Sequence, residues 1–157
     1  MQRRIEQMLR CLDVSLGTVW RVREDLWREA FRRMGQPYDE HSARRWHPAV
    51  SLREYPPASL HEFVPMLHGT SSDAGPVVVR GLTRECGELH PTSFGNIVSP
   101  AQIGLHEITS RDSAAPRDRL TGHWFDFKRV AHNSHKLKLD AGELASLRAW
   151  ATRRRIL

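Results

Sequence analysis

Asp13-Val14-Ser15-Leu16-Gly17-Thr18-Val19-Trp20-Arg21-Val22 admits two incompatible readings, and the choice between them decides the fold. One is a turn followed by a short strand over Thr18 to Val22, rich in β-branched and aromatic side chains. The other is a helix-turn-helix, with Leu12 to Ser15 as the turn and Gly17-Thr18-Val19 opening a recognition helix over Ser15 to Arg23 that would enter the DNA major groove. The position four before the turn, commonly a small residue in such motifs, is Leu9, and the turn glycine is replaced by Asp13. Only eleven or twelve residues precede the turn, too few for a bracing helix. The strand is the better reading.

Upstream, Met1 to Leu12 places Ile5, Met8, Leu9 and Leu12 at helical spacing. Downstream, Arg23 to Met34 reads as a helix with one apolar stripe of Leu26, Trp27, Ala30, Phe31 and Met34, ended by Gly35 and Pro37. That stripe is either a docking face within the fold or a surface for a protein partner. Arg44-Arg45-Trp46-His47-Pro48 then leads into Ala49, Val50 and Leu52, a strand whose proline sits at its start or on an edge. Leu60 to Leu67 and Val77 to Val79 read as further strands, with His68 to Asp73 as a hydroxyl-rich turn.

From Gly81 the chain is rich in Gly and Pro. Strands are expected at Ile97-Val98, Ile103 to Ile108 and Phe125 to Val130, with Ser110 to Arg119 as an exposed loop. At the end, Asp140 and Glu143 have capping-box spacing. Leu144, Leu147, Trp150 and Ala151 follow as an apolar face, and Arg153 to Arg155 fall in the last turn, where cations complement the helix dipole. Short strands with frequent turns and a terminal helix point to a mainly β, α+β fold: a small antiparallel barrel or strongly curved sheet.

The chain has 157 residues, room for one domain. We divide 1–157 into an N-terminal helical extension over 1–16 and a barrel over 17–157, with a helical insertion at 23–34 and a C-terminal helix at 140–155. Lys+Arg 24 against Asp+Glu 18 gives a net charge of +6, which favours a polyanionic partner such as nucleic acid. Lys128, Lys136 and Lys138 are the only lysines; the remaining cations are arginines, whose planar fork suits phosphate. Cys11 and Cys86 are too few for a disulfide framework, so a cytoplasmic protein is expected. No apolar run reaches the roughly 20 residues of a membrane span. His132-x-x-His135 and Cys86-x-x-x-His90 offer two ligands each, short of a zinc set. No phosphate loop, nucleophile elbow or carboxylate pair is present, so neither metal nor cofactor is expected.

The order of segments resembles the PemK/MazF family of bacterial toxin endoribonucleases. Gly17-Thr18-Val19-Trp20-Arg21-Val22 matches the family's opening strand, and Arg44-Arg45-Trp46-His47-Pro48-Ala49-Val50-Ser51-Leu52 its arginine-proline segment. Val64-Pro65-Met66-Leu67-His68-Gly69-Thr70-Ser71 corresponds to its threonine-serine segment. The likeness runs from about Gly17 to the end. It implies an SH3-like barrel that cleaves RNA without a metal, usually as a homodimer, and is blocked by a cognate antitoxin. The family's catalytic arginine directly precedes the proline, where this chain has His47.

Attack of an RNA 2′-hydroxyl on its neighbouring phosphate needs a base, an acid and cationic donors. On an extended strand Arg45 and His47 share a face, and histidine titrates in the right range. Arg45, His47, Thr70 and His68 are therefore the candidate catalytic residues, and Arg44, Trp46, Arg53 and Ser71 the candidate RNA contacts. Each has a plainer reading. His47 can be structural at a strand start, Arg44 and Arg45 a solvated basic patch, Trp46 core, and Thr70 to Ser72 a turn satisfying its own backbone.

Overall fold

A computed structural model of the chain describes residues 3, 15–38, 46–55, 57–59, 61–85, 88–108, 114–116 and 138–157. Val19–Arg23 form a strand, β1. No recognition helix exists over those residues, and the DNA-binding alternative loses its reading element. β1 passes directly into helix α1, Glu24–Arg33, and then come β2 (Trp46–Ser51), β3 (Phe63–Thr70), β4 (Val77–Glu85) and β5 (Glu88–Phe94). They are followed by β6 (Ala101–Gly104), the short helix α2 (Leu105–Ile108), β7 (Ala114–Pro116) and helix α3 (Ala141–Arg153).

The strands pair antiparallel in the order β4-β5-β3-β2-β1-β7, with β6 also on β3. One edge of β3 is shared: Phe63 to Met66 pair with β6, while Gly69 and Thr70 pair with β5. The sheet divides along that edge and curls into a half-barrel.

Two prolines set the length of the central ladder. β2 and β3 pair at Ala49↔His68, Val50↔Leu67 and Ser51↔Met66. The next pair would be Leu52 with Pro65; Leu52 N donates to Pro65 O at 2.9 Å, but Pro65 has no N–H to return. Alternate residues of a strand present their backbone groups to opposite neighbours, so Pro48 would face Gly69 with the same missing donor. Pairing between β2 and β3 therefore stops at both ends. A third proline acts in the β4–β5 hairpin. Its register shifts between Val79↔Thr92 and Thr83↔His90. Pro91 lies in that gap, where it cannot donate, and β4 carries the extra residues of the bulge.

Both faces of the sheet are covered. On one, Trp20, Val22, Ala49, Val64, Met66 and Ile103 pack beneath Leu26, Trp27, Ala30 and Phe31 of α1. On the other, Val19, Val50, Leu67, Val77, Val79 and Phe94 pack against Leu147, Trp150 and Ala151 of α3. The stripe of α1 is thus consumed inside the fold, with Trp27 fully buried, which removes it as a partner surface. Gly35, at φ 66, ends α1: Gln36 N donates to Phe31 O and Gly35 N to Arg32 O, both at 3.0 Å, a left-handed turn suited to a residue without Cβ. Asp140 and Glu143 form the reciprocal capping box at the start of α3.

Several expectations need correction. The strand expected over Leu60 to Leu67 is Phe63–Thr70 and takes in His68 to Thr70, because Thr70 finds Ser93 as a pairing partner. Val77 to Val79 is only the start of β4, and β5 was not expected at all; partner strands, not local pattern, extend them. Ile97 and Val98 are not in a strand. Leu105–Ile108 is helical, closed when Glu107 accepts from Gly104 N at 2.8 Å. Ala114–Pro116, inside the expected loop, adds to the edge of β1. The Met1 to Leu12 helix, except Arg3, and the Phe125 to Val130 strand lie outside the described residues, as do Cys86, His132 and His135.

Candidate functional site

β1 runs into α1 without a loop, so Glu24, the first residue of α1, stands over the start of β2. Its Oε2 meets His47 Nε2, and both side chains are largely shielded, at 12% exposure for His47 and 15% for Glu24. His68 lies opposite Ala49 on β3. His47 is two residues from Ala49 on the same strand, so the two histidines are diagonal neighbours on one face. Their ring centroids are 4.7 Å apart. Trp27 stands edge-on to His68 at 4.8 Å, and Tyr38 approaches the same ring at 6.1 Å.

This surrounding fixes the chemistry of His68. Burial, reinforced by the neighbouring His47, lowers its pKa to about 3. Neither ring nitrogen has a hydrogen-bond partner among the described residues. A ring held neutral cannot serve as a proton donor of the imidazolium kind at neutral pH. His47 is held differently: its Nε2 meets a carboxylate, and an Nε2–H directed at Glu24 makes Nδ1 the acceptor nitrogen.

Thr70 is on the same face of β3 as His68, two residues on. Its Oγ1 accepts from Asn96 Nδ2 at 2.8 Å and lies 3.3 Å from Ser72 Oγ and 3.4 Å from Ser93 Oγ. Ser72 and Ser93 are 2.8 Å apart, and Asn96 also donates to Ser93 at 3.1 Å. The corner where β3 meets β5 is therefore a cluster of hydroxyls closed by one amide.

No family model, curated protein or solved structure matches this chain.

Of the residues singled out in the sequence, His47 and His68 come together, and Thr70 shares their face. Arg53 is elsewhere. Its guanidinium donates to Tyr55 O at 2.6 Å, to Phe63 O at 3.5 Å and to the Glu62 carboxylate, so it braces the chain leaving β2. Six residues of extended chain separate it from His47, roughly 20 Å at the rise of a strand. Trp46 opens β2 opposite Arg23. Ser71 is exposed beyond the end of β3. Arg44 and Arg45 lie outside the described residues.

Sequence reasoning missed Glu24, Ser93 and Asn96. Glu24 reads as an ordinary acid in a helix's first turn. Nothing local ties it to a histidine 23 positions away. Ser93 and Asn96 follow from β5, which the turn-rich composition concealed. Among the described residues no three His, Cys, Asp or Glu side chains gather as a metal set, and no helix is long and apolar enough to cross a membrane.

Proposed function

We propose that this chain is a metal-independent endoribonuclease of toxin type, built on a small SH3-like barrel and held in check by a cognate antitoxin in the cytoplasm. One observation carries the reading: the Glu24–His47 contact, on the sheet face that also bears Thr70. A carboxylate that fixes an imidazole's tautomer is an arrangement that serves general-base chemistry. The net charge of +6 and the order of the strand segments support an RNA substrate.

In this reading His47 Nδ1 takes the proton of an RNA 2′-hydroxyl. The freed oxygen attacks the adjacent phosphorus, a bond from O2′ to phosphorus forms, and the bond to the 5′-oxygen breaks. The departing oxygen is protonated from solvent, leaving a cyclic phosphate. Thr70 donates its hydroxyl hydrogen to a phosphate oxygen, while Asn96 holds the threonine oxygen in place. Arg44 and Arg45 enter the proposal through their sequence position alone, as cations for the phosphorane. His68, kept neutral, is a packing neighbour that orients His47 and not a second proton carrier. A homodimer is part of the same proposal.

The test is cleavage of labelled RNA by the purified protein in EDTA. Wild type is expected to cleave. His47→Ala is expected to lose about 100-fold or more in rate, and Glu24→Gln to lose less while keeping RNA affinity. Intact RNA under all conditions, or wild-type cleavage by His47→Ala, overturns the proposal.

A further inference from the structure

Helix α3 ends in the same backbone turn as α1. Ile156 N donates to Ala151 O at 2.9 Å and Arg155 N to Thr152 O at 3.0 Å, reproducing the bonds that Gln36 and Gly35 make at the end of α1. The position held by Gly35 in α1 is held by Arg155 in α3, at φ 56. Among the described residues it is the only non-glycine with positive φ, a conformation that crowds a Cβ. The turn is anchored, since Ile156 packs against the core beside Ala151 and Trp150. Arg153, Arg154 and Arg155 are therefore presented on a fixed turn. All three are exposed.

Among the described residues their charge is not spent. Arg148 pairs with Glu54 at 2.5 Å, but Arg153 to Arg155 make no ion pair or side-chain hydrogen bond among the described residues. No Asp or Glu follows Glu143 in the chain. The position of the cluster is also informative. A Cβ on Gly95 would lie 3.1 Å from the Trp150 ring, so α3 abuts the Gly95–Asn96 turn whose amide holds Thr70. Arg154 N bonds to Trp150 O, one helical turn and about 5 Å further along the axis.

We propose that Arg153, Arg154 and Arg155 form a binding site for the phosphodiester backbone of single-stranded RNA, on the sheet face opposite the one that bears His47 and Thr70. Arginine engages phosphate in bidentate fashion, and three guanidinium forks on one anchored turn offer several such contacts. The identity of the polyanion rests on the ribonuclease reading; the existence of the site does not.

The experiment is fluorescence anisotropy with a labelled 2′-O-methyl oligoribonucleotide, which has no 2′-hydroxyl to react, titrated over a range of salt. The variant R153Q/R154Q/R155G, with circular dichroism to verify folding, is expected to bind about 10-fold or more weakly. Its dependence of log K on log salt should be shallower by about 2, at roughly 0.7 for each lost contact to a single strand. Arg155→Gly alone preserves the turn and should lower the slope by about 0.7. Arg32→Gln, which removes an exposed arginine of α1, should change neither quantity. Unchanged binding by the triple variant, an equal loss in Arg32→Gln, or no binding by wild type overturns the site. Arginine-dependent binding together with intact unmodified RNA upholds the site and overturns the ribonuclease reading instead.

Discussion

Both ring nitrogens of His68 are buried without a hydrogen-bond partner among the described residues, and each such group costs about 1–3 kcal/mol. The ring would take a proton near pH 6.5 in the unfolded chain but only at about 3 in the folded one. Between those values the unfolded state binds the extra proton. Stability is therefore fully present above pH 6.5 and falls as pH drops toward 3, by up to about 1.4 kcal/mol per pH unit. His68→Phe keeps a ring against Trp27 and Tyr38 and removes both orphaned nitrogens. We expect it to be at least as stable as wild type at pH 7 and to lose less stability in acid, measured as urea midpoints at pH 7 and pH 4. An acid dependence identical to wild type would show that His68 is not the titrating group. His47 was readable as a chemical residue from its type and its proline neighbour. Glu24 was not, because its role comes from where β1 delivers the start of α1.

Helix ends give the sharpest contrast between elements. α1 and α3 close with the same hydrogen bonds, one over Gly35 and one over Arg155. Replacing Arg155 with Gly relieves the left-handed crowding, partly offset by the greater freedom of glycine in the unfolded chain. The expected net gain is about 0.5–1 kcal/mol, seen as a raised thermal midpoint; a lowered midpoint would mean that the arginine side chain stabilises the turn. At the other end of α3, Asp140→Ala removes the acceptor of Glu143 N, a 2.8 Å bond, and should cost about 1 kcal/mol by denaturant unfolding. The helical stripe of α1 and the box of α3 were visible in sequence, since both depend on residues three and four apart. β5 and the extent of β3 were not. A strand of Glu-Leu-His-Pro-Thr-Ser-Phe carries no strong pattern, and it exists because β3 and β4 supply its partners.

Among the described residues the chain is a curled sheet whose two faces are each closed by a helix. Trp27 sits at the centre of one closure, touching Phe31 and His68 with its ring and fully buried. Trp27→Ala should cost about 3–5 kcal/mol and lower the unfolding midpoint measured by tryptophan fluorescence and by circular dichroism alike. A loss seen by one probe only would mean that α1 unfolds apart from the sheet. The sequence by itself determined the local things: a strand, expected over Thr18 to Val22 and found over Val19–Arg23, the amphipathic α1, the capped α3, the positive charge and the prolines that cannot donate to a ladder. Those follow from side-chain volume, branching and hydrogen-bonding capacity read over a few residues. Only the tertiary structure decided that Pro48 and Pro65 bound one ladder, that Glu24 meets His47, and that Asn96 closes on Thr70. Each of these joins residues distant in the chain, and their meeting is set by strand register and the packing of two cores, which no short window of sequence contains.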